Sequence, residues 1–336
     1  MIKKILVVAA IALFTFSCSS LLKYEKRAAE FKTEEFDKKV KIVEVEETKE
    51  ELPPEPVAEK KPIAVKKVKK TKRTKKAVIP LQPLVRQPDI EDSEGFANQR
   101  RPLVDPFKVG EKITHAVSYL GAQAAKLSLS VKPYAVVNGK KNYNFSIDVK
   151  TSSFFSRVYA VDDQVQTYVD FETLAPGAFK MDFKDWAQVK EARAYFDFDN
   201  LKADYWEHRY TEKNGHEEKK LNWTILPYSQ NIFSAIFYMR VFQWSVGKEC
   251  SFRVADMEKN VVFKAKALEK VKLNTDAGEF DAIKLKAEVV TRGKLSNASD
   301  FFIWLSDDAR KYVLRIEVKL PIGSLVSEVI ELKEGK

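Results

Sequence analysis

The sequence predicts a mainly β fold for residues 105–336: a large, curved, mostly antiparallel sheet or half-open barrel with one short helix, preceded by a disordered linker. Three observations predict it. Apolar and polar residues alternate with period two in one run after another, as in sheet with one buried face. The dipeptides Asn138-Gly139 and Asn214-Gly215 sit between such runs, where a two-residue primed turn needs positive φ at both positions. Within this span, the stretch after Pro227 spaces its apolar residues as a helix does.

The elements follow in order. Lys3 and Lys4 precede an apolar run from Ile5 to Phe16 and the small-residue site Ser17-Cys18-Ser19-Ser20, the layout of a secretory signal ending at a cysteine. The run of about 12 residues is too short for a hydrocarbon core that needs roughly 20. Residues 1–17 therefore read as a signal peptide similar to those of bacterial lipoproteins, with Cys18 the diacylated first residue of the mature chain. Thr15 and Phe16 stand where such signals usually carry Leu and a smaller residue. Cleavage to a soluble exported protein, or an uncleaved anchor, are the alternatives. Ser19 after the cysteine resembles the outer-membrane-sorted class, so the expected location is the outer membrane, facing the periplasm.

Residues 18–46 form the anchored segment, and Leu22, Ala29, Phe36, Val40 and Val43 share the face of a short amphipathic helix. Residues 47–104 are rich in Pro and Lys and poor in Gly and aromatics, the composition of a disordered linker. At about 3.1 Å per residue such a chain forms a leash of roughly 190 Å when fully stretched, enough to carry a domain from a membrane toward the cell wall.

The formal charge of +10 resides in this linker. Lys60, Lys61, Lys66, Lys67, Lys69, Lys70, Lys72, Arg73, Lys75 and Lys76 account for it, and the span from Pro102 onward is close to neutral. The tract lacks interleaved aromatics, which argues against base stacking and a nucleic-acid partner. Lys66, Lys67, Lys69, Lys70, Lys72, Arg73, Lys75 and Lys76 read either as a self-repelling spacer or as a site for an anionic cell-wall or envelope polymer.

From Asp105-Pro106-Phe107 onward strands begin, at Ile113 to Tyr119, Lys126 to Val131, Asn142 to Val149, Gln164 to Val169 and Ala178 to Phe183. They resume in Val261 to Ala267, Phe280 to Val290, Phe301 to Leu305, Val313 to Val318 and Leu325 to Leu332, with Thr275-Asp276-Ala277-Gly278 a further turn. Ten to thirteen strands are expected in all. Asp197 to Asp204 and Glu217 to Lys220 read as solvated strand ends. Between the two series, Ser229 is placed to cap a helix of about three turns bearing Ile232, Phe233, Ile236, Phe237 and Val241, with Arg240 near its C-terminus.

An ordered set of short motifs runs through this span: Gly110-Glu111 leading into Val117-Ser118-Tyr119-Leu120-Gly121, then Tyr159-Ala160-Val161-Asp162-Asp163, then Leu174-Ala175-Pro176. Ser234-Ala235-Ile236-Phe237-Tyr238-Met239-Arg240, Gly278-Glu279-Phe280 and Ile303-Trp304-Leu305-Ser306-Asp307-Asp308 complete it. On these motifs, from about Asp105 to Leu332, the chain resembles the domain-of-unknown-function family 3108, a group of exported bacterial proteins. The resemblance implies a curved, β-rich exported domain and no established activity. Gln230-Asn231 stands where the family tends to carry an acid, so the resemblance implies no essential carboxylate there.

Chemistry-bearing residues are few. With Cys18 lipidated, Cys250 has no disulfide partner and reads as a buried small hydrophobe. His115 falls in a strand and His208 and His216 flank the second hairpin; a zinc site would need a third ligand that the sequence does not point to. There is no Gly-x-Ser-x-Gly, no phosphate loop, no His-Glu-x-x-His and no Cys-x-x-Cys. No catalytic residue, cofactor or metal is assigned. Asp182 with Asp185, or Asp307 with Asp308, are conceivable glycosidic pairs, but Asp162-Asp163 and Asp307-Asp308 read more simply as turns. Tyr195, Phe196, Phe198, Tyr205, Trp206, Tyr210 and Trp223 read as core, or as a concave face suited to an acyl chain or a sugar.

The leading reading is a membrane-anchored envelope lipoprotein with a non-catalytic binding or scaffold domain on a long basic tether, its protein partner unspecified. A periplasmic lipid or glycan carrier, which requires a hollow sheet, is the alternative. A cell-wall polysaccharide-active enzyme, which requires carboxylates converging in a groove, is the third.

Overall fold

The computed structural model describes residues 24–31, 33–44, 102, 104–152, 156, 160–291, 294–295 and 301–336. The signal peptide, Cys18 and the basic tract of the linker lie outside the described residues.

Sixteen strands join one antiparallel sheet. They are β1 Ile42–Glu44, β2 Lys112–Tyr119, β3 Ala122–Val137, β4 Lys140–Thr151, β5 Asp162–Asp170, β6 Pro176–Lys184, β7 Gln188–Asp197 and β8 Lys202–Thr211. There follow β9 Gly215–Thr224, β10 Glu249–Asp256, β11 Lys259–Thr275, β12 Gly278–Thr291, β13 Lys294–Leu295, β14 Phe301–Ser306, β15 Val313–Lys319 and β16 Ser324–Lys333. The main path runs β10-β11-β12-β14-β15-β16-β2-β3-β4-β5-β6-β7-β8-β9. Nearly every neighbour follows in sequence, the signature of meandering hairpins; the pairing of β16 with β2 joins the end of the domain to its beginning.

The sheet curls without closing. Its edge strands β9 and β10 are not paired with each other. Beside β10, Gln230 N donates to Arg253 O, and Ala255 N donates to Gln230 O, each at 2.8 Å. The result is the expected half-open barrel. Glu217, Glu218, Lys219 and Lys220 keep the edge strand β9 charged and exposed, which discourages pairing with another chain. These residues belong to a full strand rather than to a solvated strand end, which is one reason the expected strand count was low.

The first Asn-Gly turn has the expected form, with positive φ at both Asn138 and Gly139. The second differs: Thr211 pairs with Gly215, so the loop has three residues, and only Gly215 has positive φ. Asn214 is held instead by its backbone N–H, which donates to Thr211 Oγ1 at 3.1 Å.

The domain helix, Ile232–Tyr238, lies against β5, β4 and β10 and runs on into a single 3-10 turn, Met239–Val241. Its cap is Asn231, not Ser229. Asn231 Oδ1 accepts from Phe233 N and Ser234 N, and Ser234 Oγ accepts from Asn231 N, a reciprocal capping box. The bridge at Gln230 keeps the chain extended up to Asn231, so the helix starts later than apolar spacing suggests and is shorter than three turns. Ser229 Oγ donates to Leu226 O instead.

Side chains fill the curl. Phe237 stacks on Phe145 with centroids 4.2 Å apart, Phe107 packs edge-on to Phe145 at 4.9 Å, and Phe252 stacks on Phe263 at 4.8 Å. Cys250 is buried among them. A second cluster under β6 to β9 holds Phe179, Phe196, Tyr205 and Trp223, and the helix residue Phe233 touches both clusters.

Residues 24–44 pack on the outside of this sheet. A 3-10 turn, Glu25–Glu30, leads to a six-residue helix, Glu34–Lys39, and then to β1. β2 pairs with the first half of β3, up to Ser130, and β1 pairs with its far end, Ile42 opposite Val137. The N-terminal strand thus continues the lane beside β3 that β2 leaves free. The segment 45–101 consequently connects two places on one sheet.

Candidate functional site

The outer face of β3 and of β5 to β8 is where the sequence pattern and the packing meet. Alternation sends Ala203 and Tyr205 of β8 inward and Asp204, Trp206, His208 and Tyr210 outward. Phe36 and Val40 of the N-terminal segment, 1% and 3% exposed, close over the outward set with Ala135, Val137, Tyr168 and Ala178. Phe36 meets Trp206 edge-on at 5.9 Å. Polar contacts pin the rim. Trp206 Nε1 donates to Glu35 Oε2 at 2.9 Å and Lys220 Nζ to Glu35 Oε1 at 2.6 Å, bonds that lower the Glu35 pKa below the ordinary carboxylate value. Lys39 pairs with Asp204 at 2.7 Å, and Tyr168 O–H donates to Glu44 at 2.5 Å. We call residues 24–44 the strap.

A cleft walled by the strap and a second one beyond it lie on the domain surface. One of about 310 Å³ is lined by Glu35, Phe36, Arg193, Trp206, His208 and Glu218. The other, about 470 Å³, lies near the Asn138-Gly139 turn beside Tyr195, Phe198 and Asp170. The clustered aromatics of the sequence are therefore divided by alternation. Phe196, Tyr205 and Trp223 are core; Tyr195 and Trp206 lie under the strap; Tyr210 packs against Tyr24 at 5.4 Å. They do not form a common concave face.

His208 and His216, expected to stand apart from any metal site, are brought together. His208 Nδ1 lies 3.3 Å from His216 Nε2 and 3.6 Å from Glu218 Oε1. Phe31 of the strap stacks on both rings, with centroids 5.6 and 5.4 Å away. The third side chain able to ligate a metal there, which the sequence did not point to, is Glu218, directly opposite His208 in the β8–β9 register. The sequence carried no sign of it, because the two-residue turn expected there would have shifted the register.

The paired carboxylates do not converge on a groove. Asp182 pairs with Arg193 at 3.0 Å, and Asp185 Oδ1 accepts from Ala187 N and Gln188 N of its own turn. Asp307 pairs with Lys270 at 2.6 Å, and Asp308 Oδ1 accepts from Ser306 Oγ, Arg310 N and Lys311 N. Asp163 stands out electrostatically. Burial first, and then the charge of Asp185, raise its pKa to about 7, against the Lys184 N–H that donates to it.

Arg240 was missed as a site. Expected as a favourable charge at the helix C-terminus, it is 1% exposed, and its guanidinium grips Glu111 at 2.6 and 3.1 Å. It also donates to Pro106 O and Arg310 O, and lies over the rings of Phe107 and Tyr312. Arg310 reaches the same Glu111 at 2.9 Å. Nearby, Gln230 Nε2 donates to Leu174 O at 2.8 Å. Motifs scattered along the chain, around Glu111, Leu174, Arg240 and Asp308, thus gather about the helix as one structural bolt; only three-dimensional closure puts a partner next to Arg240.

The family model for proteins of unknown function, DUF3108, matches residues 114–330. The chain belongs to that family. The matched span holds β3 to β15, so the DUF3108 domain is the curled sheet with its helix, and the strap lies before it. A comparison with curated proteins finds no match. Among solved structures, this DUF3108 chain is similar to a β-barrel-like protein of the DUF1849 family from Brucella abortus at 10% identity and a TM-score of 0.42. That likeness covers 68% of this chain and 98% of the other. It is also similar to a protein with YmcC-like fold from Bacteroides fragilis, at 11% identity and a TM-score of 0.31, over 68% of this chain and 98% of that one. At such TM-scores neither likeness bears on activity.

Proposed function

We propose that the chain is a membrane-anchored cell-envelope lipoprotein whose β domain is a non-catalytic binding or scaffold module, clasped beside its own anchor. The observation that carries this reading is the docking of residues 24–44 on the outer face of the sheet while aromatic side chains fill the inside. A carrier requires a hollow where Phe107, Phe145, Phe237, Phe252 and Phe263 pack. An enzyme on cell-wall polymer requires free carboxylates where Asp182, Asp185, Asp307 and Asp308 are already engaged.

With Cys18 acylated, the covalent reach from the lipid to Tyr24 at the start of the strap is about 20 Å at 3.3–3.6 Å per residue. The domain then rests next to the membrane instead of ranging toward the wall. Lys66 to Lys76 belong to a segment that starts and finishes on this domain, within reach of anionic head groups or envelope polymers, to which a basic tract is drawn. Ser19 supports the outer membrane as the location.

Fractionation of cells expressing the full chain, Cys18→Ala, and a variant lacking residues 47–101 tests the reading. The proposal predicts release of Cys18→Ala into the soluble fraction, with the deletion variant folded and retained on the membrane. Membrane retention of Cys18→Ala, or loss of the folded domain on deleting 47–101, would contradict it.

A further inference from the structure

We propose that His208, His216 and Glu218 form a zinc site on the outer face of the β8–β9 hairpin. Glu218 pairs with His208 across the ladder and His216 pairs with Tyr210, so the three side chains leave one face of adjacent strands. The three donor atoms lie within 4.8 Å of one another, with the two separations from His208 Nδ1 at 3.3 and 3.6 Å. A tetrahedral ion with ligand bonds of about 2.0–2.2 Å has ligand-to-ligand edges of about 3.3–3.6 Å. Those two separations therefore already match the edges of the tetrahedron.

Two imidazoles and one carboxylate suit zinc, whereas calcium and magnesium take shells of oxygen. The imidazole planes are 12° apart, nitrogen facing nitrogen across 3.3 Å, the arrangement of two rings sharing one proton. On zinc binding, the ring that donates in this contact moves its proton to its other nitrogen, so both facing nitrogens turn their lone pairs to the metal and both imidazoles stay neutral. His208 and Glu218 also line the 310 Å³ cleft between the strap and β7 to β9, from which water would supply the fourth ligand. A second observation sets this group apart from scattered surface residues. His208 is 7% exposed, and Phe31 of the strap stacks beside both imidazoles. Fixing the two rings by a metal fixes the surface on which the strap closes, so zinc binding and strap docking reinforce each other.

The chain has three histidines. The remaining one, His115, is fully buried on β2, and Cys250 is 1% exposed, so histidine-dependent zinc binding reports this triad. The experiment uses the full chain in detergent, stripped with EDTA and titrated with zinc sulfate against a chromogenic chelator, with metal content read by mass spectrometry. One zinc per chain is expected. Because removal of mere supporting groups weakens metal sites about 10–100-fold, loss of a ligand in His216→Gln or Glu218→Gln is expected to weaken binding by about 100-fold or more. Both residues are exposed on the edge strand, so these variants retain the fold, verified by circular dichroism in EDTA. Zinc is also expected to slow tryptic cutting at Lys38 and Lys39 in the parent chain and not in the variants. Absence of stoichiometric zinc at micromolar concentration, or equal affinity in parent and variants, would overturn the proposal.

Discussion

Arg240 and Glu111 have no route to water, and their pairing is worth less than the damage done by separating them. Removing one partner of a buried ion pair costs about 3–5 kcal/mol, because the other charge is left in the interior. Arg240→Leu is therefore expected to lower the unfolding free energy by that amount in urea denaturation; a loss below about 1 kcal/mol would place Glu111 in contact with water or adequately held by Arg310 alone. Asp163 makes a prediction about pH. Its folded pKa of about 7 exceeds its ordinary value of 3.8, so the folded state binds the proton more tightly. The resulting stability is fully present below about pH 4 and is lost as pH rises through about 7. His115 acts oppositely: burial lowers its pKa from 6.5 to about 4, so its contribution is present above 6.5 and lost as pH falls through about 4. Comparing melting curves of the parent and Asp163→Asn isolates the first effect. The variant gains relative stability from pH 4 to pH 7.5, and a pH-independent difference would refute the raised pKa.

Elements that bury one face and meet only their neighbours were legible in the sequence. The alternation in the sequences of Lys112–Tyr119, Gly278–Thr291 and Ser324–Lys333 marks them as strands, and the Asn138-Gly139 turn announces its own backbone. What was not legible depends on contacts distant in sequence. Phe36 and Val40 were read as one stripe of an amphipathic helix, a pattern that records burial but not the surface that provides it; here that surface is the outside of the sheet. The helix cap shifted to Asn231 because Gln230 is committed to β10, a partner more than twenty residues away. His216 and Glu218 required the register of the second hairpin, set by a three-residue loop in place of the two-residue one. Asn231→Ala is expected to cost about 1–2 kcal/mol through the lost cap, with its bond to Thr167 placing it at the upper end. Phe36→Ala is expected to free the strap while leaving the sheet folded. Trypsin should cut at Lys38 and Lys39 at least about tenfold faster, since each 1.4 kcal/mol of lost docking raises the open population tenfold. An unchanged cutting rate would mean that Phe36 does not hold the strap.

At the scale of the whole molecule, the proposal gives the long basic linker a different part. A leash of some 60 residues between anchor and domain predicts a domain free to explore about 190 Å. A strap docked on the sheet at Phe36, Val40 and β1 shortens the connection to the few residues before Tyr24, and the linker becomes a length of chain between two places on one body. The position of the domain then depends on the strap, and zinc at the hairpin would strengthen that dependence. Neutron reflectometry of the acylated full chain on a supported bilayer measures the position directly. The account predicts one dense protein layer beginning within about 20 Å of the head groups, displaced outward in Phe36→Ala. A diffuse layer centred tens of ångströms further out in the parent chain, unchanged in that variant, would contradict the docked strap and restore the leash.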